Sequence, residues 1–211
     1  MARYDPPHDC PLCPRLAEFR RANRRDYPDF FNDPVPSFGP IDARLLIVGL
    51  APGLKGANRT GRPFTGDYAG ELLYSSLKKH GLARGTYQQR ADDGFELVGC
   101  RISNAVRCVP PQNKPLPTEI KTCRTFLAAE IEAMPHLRAI LSLGQISHNS
   151  VLDTLNVKKK EHPFAHGARY KHEKLTLLSS YHCSRYNTNT GVLTEKMFER
   201  VIAAAKKASA L

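Results

Sequence analysis

Three things are scarce in this 211-residue chain: acidic side chains, long apolar runs and stretches of biased composition. Asp and Glu number 20 against 31 Lys and Arg, giving a formal net charge of +11. That shortage argues against a basic partner and favours a polyanion, whose condensed counterions are released on contact. A basic housekeeping protein with no nucleic-acid role would carry the same surplus, so charge alone does not decide between the two. No apolar run approaches the ~20 residues of a membrane-spanning helix. The first residues, Met1-Ala2-Arg3-Tyr4-Asp5-Pro6-Pro7, hold no apolar stretch fit for a secretory signal. The expectation is a cytoplasmic protein that does not enter a membrane. Internal repeats, low-complexity tracts and a domain-scale linker are also missing. Residues 1–211 therefore read as one domain, long enough to bury a substantial core.

Four short apolar runs, at 45–50, 101–106, 139–143 and 175–181, read as strands of a buried sheet. Helical periodicity alternates with them: 69–80 with Leu72, Leu73 and Leu77 on one face; 118–134 with Ile120, Cys123, Leu127, Ile131 and Met134; a helix after Gly144 carrying Ile146, Leu152 and Leu155; and 194–206 with Met197, Phe198, Val201, Ile202 and Ala205. Such alternation predicts a three-layer α/β/α fold around a central, mostly parallel four-stranded sheet with right-handed crossovers. The polar, His-rich stretch 158–174 reads as a surface excursion. Each apolar run ends in unusual residues: Gly49 to Gly53, Ser103-Asn104, Ser142 to Gly144, and Tyr181-His182. Ligands of open α/β sheets bind beyond the carboxyl ends of the strands, so these four segments predict one shared pocket.

Six cysteines without a signal segment argue against a disulfide framework. Cys10 and Cys13 form a C-x2-C pair, and Cys108 and Cys123 lie far downstream with fourteen residues between them. Four such thiolates can close a zinc site or an iron–sulfur cluster, and spacing does not separate zinc from iron; packing as small buried hydrophobes is the lesser alternative, because C-x2-C is uncommon by chance. Cys100 reads as core, and Cys183, beside His182, fits neither class.

The stretch Gly49-Leu50-Ala51-Pro52-Gly53 with Asn58-Arg59-Thr60-Gly61-Arg62-Pro63-Phe64-Thr65-Gly66-Asp67 resembles the first motif of family 5 (type B) uracil-DNA glycosylases. Ile102 to Pro111 is similar to the base-recognition strand shared by families 4 and 5, and Tyr181 to Gly191 to their His-containing DNA-contact loop. Leu50 stands where family 4 carries an acidic residue, which points to family 5. The fourth block reads His182-Cys183-Ser184-Arg185 where many relatives have His-Pro-Ser-Pro. The resemblance implies a [4Fe–4S] cluster on Cys10, Cys13, Cys108 and Cys123, and a monomer that acts on DNA containing uracil or other deaminated bases.

It also implies roles for named residues. Asp67 is the expected catalytic carboxylate, orienting water or stabilising an oxocarbenium-like sugar. Its plain alternative is a helix N-cap. His182 is expected to donate a hydrogen bond to the uracil carbonyl; a structural strand-end histidine is its alternative. Asn104 suits the imide edge of uracil and Phe64 would stack on the flipped base, with Leu50 and Ala51 completing the base site. Arg59, Gly144, Arg185, Tyr186 and Asn187 are the expected DNA contacts, Gly144 through the helix N-terminus that follows it and Arg185 or Tyr186 as a wedge. The principal rival is a non-catalytic nucleic-acid binding module bearing a metal or cluster. That rival gives no reason for Asp67, Asn104 and His182 to stand at three strand ends. An electron-transfer iron–sulfur protein, a second rival, would have no use for the positive charge.

Overall fold

The computed structural model describes residues 4–211. Helix α1 (Pro14–Asp26) precedes strand β1 (Leu45–Gly49), followed by the single-turn helix α2 (Ala57–Thr60) and by α3 (Tyr68–Lys79). A small hairpin, β2 (Ala83–Arg84) and β3 (Glu96–Leu97), leads into β4 (Cys100–Asn104). Then come α4 (Pro117–Ala133), β5 (Ala139–Leu143), α5 (Gln145–Thr154), β6 (Arg169–His172), β7 (Leu175–Ser180), α6 (Arg185–Asn189) and α7 (Glu195–Ala208). The main sheet runs β4-β1-β5-β7-β6, with the first four strands parallel and β6 antiparallel to β7.

Strand alternation sends successive side chains to opposite faces, and both faces are covered. On one side Leu45, Ile47, Ile102 and Leu141 meet Leu73 and Leu77 of α3 and Phe198 and Ile202 of α7. On the other, Leu46, Val48 and Ile140 meet Leu127 of α4 and Val151 and Leu152 of α5. All residues of β1, β4, β5 and β7 are buried, and β1 is apolar throughout, whereas β4 carries Arg101, Ser103 and Asn104, β5 Ser142, and β7 Thr176, Ser179 and Ser180. The three-layer α/β/α arrangement is the one expected.

The sheet has five strands rather than four. β6 lies inside the stretch read as a surface excursion, because an edge strand with one covered face alternates Arg169, Tyr170, Lys171, His172 and carries no apolar run. Helix α1 also went unread: its buried face includes Arg20 and Asn23 beside Leu16 and Ala17, so polar residues mask the period. Ile146, expected on a buried face, is exposed.

One polar cluster lies inside the core. Glu130 of α4 is fully buried and accepts from Arg101 Nε (2.6 Å), Arg107 Nη2 (2.7 Å) and the Ser103 hydroxyl (2.6 Å). Arg107 also reaches Asp5 at 3.3 Å, which ties the N-terminal segment to the end of β4. Burial opposes the charge on Glu130, but the two guanidinium groups and the hydroxyl outweigh it and hold the carboxyl below its ordinary range.

Candidate active site at the strand ends

Winding reverses between β1 and β5: the chain leaves β1 toward α3 on one face and leaves β5 toward α5 on the other. A crevice opens beyond the carboxyl ends at such a point. Asn104 ends β4 and pairs in register with Gly49, the last residue of β1. A Cβ at Gly49 would lie 2.4 Å from Asn104 Oδ1 and 2.6 Å from the Phe64 ring, so only glycine lets the amide and the ring approach each other there. Phe64 in turn stacks near-parallel on His182, with centroids 5.9 Å apart at 26°. His182 follows β7 and lies beside Gly144, which follows β5. Residues from all four parallel strand ends thus meet.

Asp67 N-caps α3, its carboxylate accepting from Gly70 N at 3.2 Å. Its other oxygen lies over the Gly53–Gly56 turn, where a Cβ at Gly56 would be 2.5 Å away. The carboxylate is half-buried and its charge reaches His182. Burial pushes the His182 imidazole below its ordinary pKa, and the Asp67 charge only partly opposes this, so the ring is neutral at pH 7. A neutral imidazole within reach of the Asp67 charge, close to the buried Asn104 amide, can donate to a carbonyl that gains charge.

Phe64 holds a left-handed φ of 52°, a strained conformation for an aromatic residue. Its neighbours over-determine it. Gly70 packs so tightly that a Cβ there would lie 1.7 Å from the Phe64 carbonyl oxygen. Arg62 pairs bidentately with Asp93 of the β2–β3 loop, at 2.7 and 2.8 Å, and its guanidinium lies 5.0 Å over the Phe38 ring. Asp93 also accepts from Gln88 N and Phe95 N. Burial would raise the Asp93 carboxyl, but these donors, Arg62 foremost, lower it from 3.8 to about 2. A depressed carboxyl stabilises the fold above its unfolded pKa and loses that contribution as pH falls toward the folded value. The pair is therefore expected to contribute roughly 2 kcal/mol near neutrality. The melting-temperature difference between wild type and Asp93→Asn should shrink as pH drops from 5 to 2, and a constant difference would refute the assignment. Sequence reading missed this clamp because Asp93 is one of two adjacent aspartates in a polar loop.

The other expected site residues fall as follows. Leu50 is half-buried beyond β1, its carbonyl accepting from Val106 N. Ala51 packs on the Leu16–Val106–Cys108–Cys123 cluster. Arg59 is exposed on α2, 3.5 Å from the Gly66 carbonyl. Arg185 lies 5.4 Å over the Tyr68 ring, whereas Tyr186 is 74% exposed, making it the freer of the two wedge candidates. Asn187 spends its amide on the His182 carbonyl at 2.8 Å, and so braces the loop. Ser184 caps α6.

The expected [4Fe–4S] cluster is corrected. Cys10, Cys13, Cys108 and Cys123 do line one small pocket with Leu16, Val106 and Phe126. Yet among the described residues no group of three or more His, Cys, Asp or Glu side chains is placed to hold a metal ion. All four are free thiols. Burial pushes Cys13 up to about 11 and Cys108 up to about 12, and raises Cys123. They act here as small apolar packing groups between α1, α4 and the segment after β4. Cys100 and Cys183 are core residues, Cys183 donating to the Ala69 carbonyl at 3.4 Å. No helix among the described residues is long and apolar enough to cross a membrane.

A family model, Uracil DNA glycosylase superfamily, matches residues 36–206. The chain is 42% identical to a type-5 uracil-DNA glycosylase of Thermus thermophilus, with 96% of this chain and 94% of the relative covered. It is 40% identical to a type-5 uracil-DNA glycosylase of Mycobacterium tuberculosis, covering 94% and 77%. A type-4 uracil-DNA glycosylase of Sulfurisphaera tokodaii is 30% identical over 82% of this chain and 74% of its own.

Proposed function

Because the chain belongs to the uracil-DNA glycosylase superfamily, among its type-5 members, we propose that it extrudes uracil from DNA and hydrolyses the glycosidic bond, leaving an abasic site. Hypoxanthine and other deaminated or damaged bases belong to the same reading. The observation that carries it is the meeting of Asn104, Phe64 and His182 at Gly49, with Asp67 near enough for its charge to reach the imidazole. A binding module has no need of that arrangement, and the relatives are named as enzymes.

Flipping a nucleotide costs a few kcal/mol of lost stacking. The +11 surplus favours the phosphate backbone, Arg59 is exposed beside the site, and the free N–H groups of α5 after Gly144 suit a phosphate. Tyr186, exposed on the His182 loop, would fill the vacated stack. The extruded base would lie on Phe64, with the Asn104 amide offering both a donor and an acceptor to the imide edge. As the bond to C1′ breaks, negative charge grows on the base and positive charge on the sugar. His182 would donate to the base carbonyl, while Asp67 would face the sugar and orient the attacking water. The protein would work as a monomer in the cytoplasm, residues 1–211 forming one domain.

Duplex and single-stranded oligonucleotides bearing one uracil, one hypoxanthine or neither test the reading. Strand breaks at uracil after alkali are expected, and intact uracil DNA would overturn it. In the same assay His182→Ala is expected to slow release roughly a hundred- to a thousandfold, the usual effect of deleting one oxyanion donor. A wild-type rate in that variant would leave His182 a structural residue.

A further inference from the structure

The loop between β2 and β3 lies outside every motif noted in the sequence, yet one of its side chains reaches the turn that carries the site. The Tyr87 hydroxyl accepts from Gly66 N at 3.2 Å and donates to the Phe64 carbonyl at 3.3 Å. One oxygen therefore bridges the 64–65 and 65–66 peptide groups, the first two of the three that link Phe64, with its left-handed φ, to Asp67. The ring does not depend on this contact for its place. It packs on Tyr74 (4.7 Å), meets Phe95 edge-on (5.9 Å) and lies 5.6 Å from the Arg62 guanidinium. Burial pushes the phenol above its ordinary pKa, so the proton needed for donation stays on the oxygen.

We propose that Tyr87 is a positioning residue for base release: its hydroxyl fixes the 64–66 turn, and so sets the Phe64 ring and the Asp67 carboxylate in register with each other. The inference rests on the glycosylase reading above. The platform and the carboxylate are three positions apart in sequence, with a glycine at φ 92° between them. Without the bridge the turn can rotate at Gly66, and a displacement near 1 Å at a reacting group costs up to about a hundredfold in rate.

Tyr87→Phe removes only the oxygen and keeps the ring contacts. At saturating enzyme, uracil release is expected to slow roughly tenfold, while affinity for uracil-free duplex changes by less than about twofold. Ser209→Ala is the control. Ser209 is buried far along the chain and donates to Ala205 O and Lys206 O, so its loss lowers the melting temperature without touching the turn. That control should keep the wild-type rate. A Tyr87→Phe enzyme as fast as wild type, or an equal rate loss in both variants, would overturn the inference. If wild type itself released no uracil, the glycosylase reading would fall and this inference with it.

Discussion

Asp67→Asn is expected to slow uracil release by two to four orders of magnitude with little change in stability. Asparagine caps a helix about as well as aspartate, so α3 keeps its start and only the negative charge is lost. The size follows from what that charge would do. A unit charge about 4 Å from a developing cation contributes about 4 kcal/mol at an effective dielectric of 20, roughly a thousandfold. Loss of a general base falls in a similar range. Asp67→Ala adds the loss of the cap, about 1 kcal/mol, and should melt lower than Asp67→Asn at a similar residual rate. Single-turnover release and thermal melting of the two variants separate chemistry from capping. A wild-type rate in Asp67→Asn would reduce Asp67 to a cap.

The second large effect is on stability. Glu130→Leu leaves Arg101 and Arg107 buried and short of their shared carboxylate. Removing one partner of a buried ion pair costs about 3–5 kcal/mol, because the remaining charge stays without water or counterion. For a chain of this length that is roughly 10 °C in melting temperature. Ser103 loses its acceptor in the same step, one residue before Asn104. Release should therefore weaken even at temperatures where the variant is folded. A variant melting within about 2 °C of wild type would show the three donors finding other partners.

Residues that work through the main-chain period were legible in sequence. The four parallel strands are rich in apolar residues because both of their faces are covered, and their carboxyl ends were marked by Gly49, Asn104, Gly144 and His182. The convergence of Asn104 and His182 is expected from that placement, whereas Phe64, away from any strand end, is expected only from the family resemblance. Elements whose buried face is polar were not legible. Arg20 and Asn23 concealed α1, Arg169 and Lys171 concealed β6, and Asp93 and Tyr87 stood in a loop with no period at all. The cysteines misled because spacing records only that thiols can meet. Here Cys108 and Cys123, with Cys13 against them, pack in an apolar cluster whose burial raises all three thiols.

The edge strand β6 carries a consequence for how copies of this protein behave together. Its outward side presents main-chain groups that another strand could join, and the exposed Arg169 and Lys171 stand over them. Like charges on two approaching edges repel, which disfavours the joining of a second copy at this edge. Dissolved ions weaken that repulsion, with a screening length of about 3 Å in molar salt against about 10 Å in 0.1 M. Concentrated salt thus loosens the grip on a polyanion and lowers the barrier to edge-to-edge joining at once, and both follow from a single surplus of positive charge.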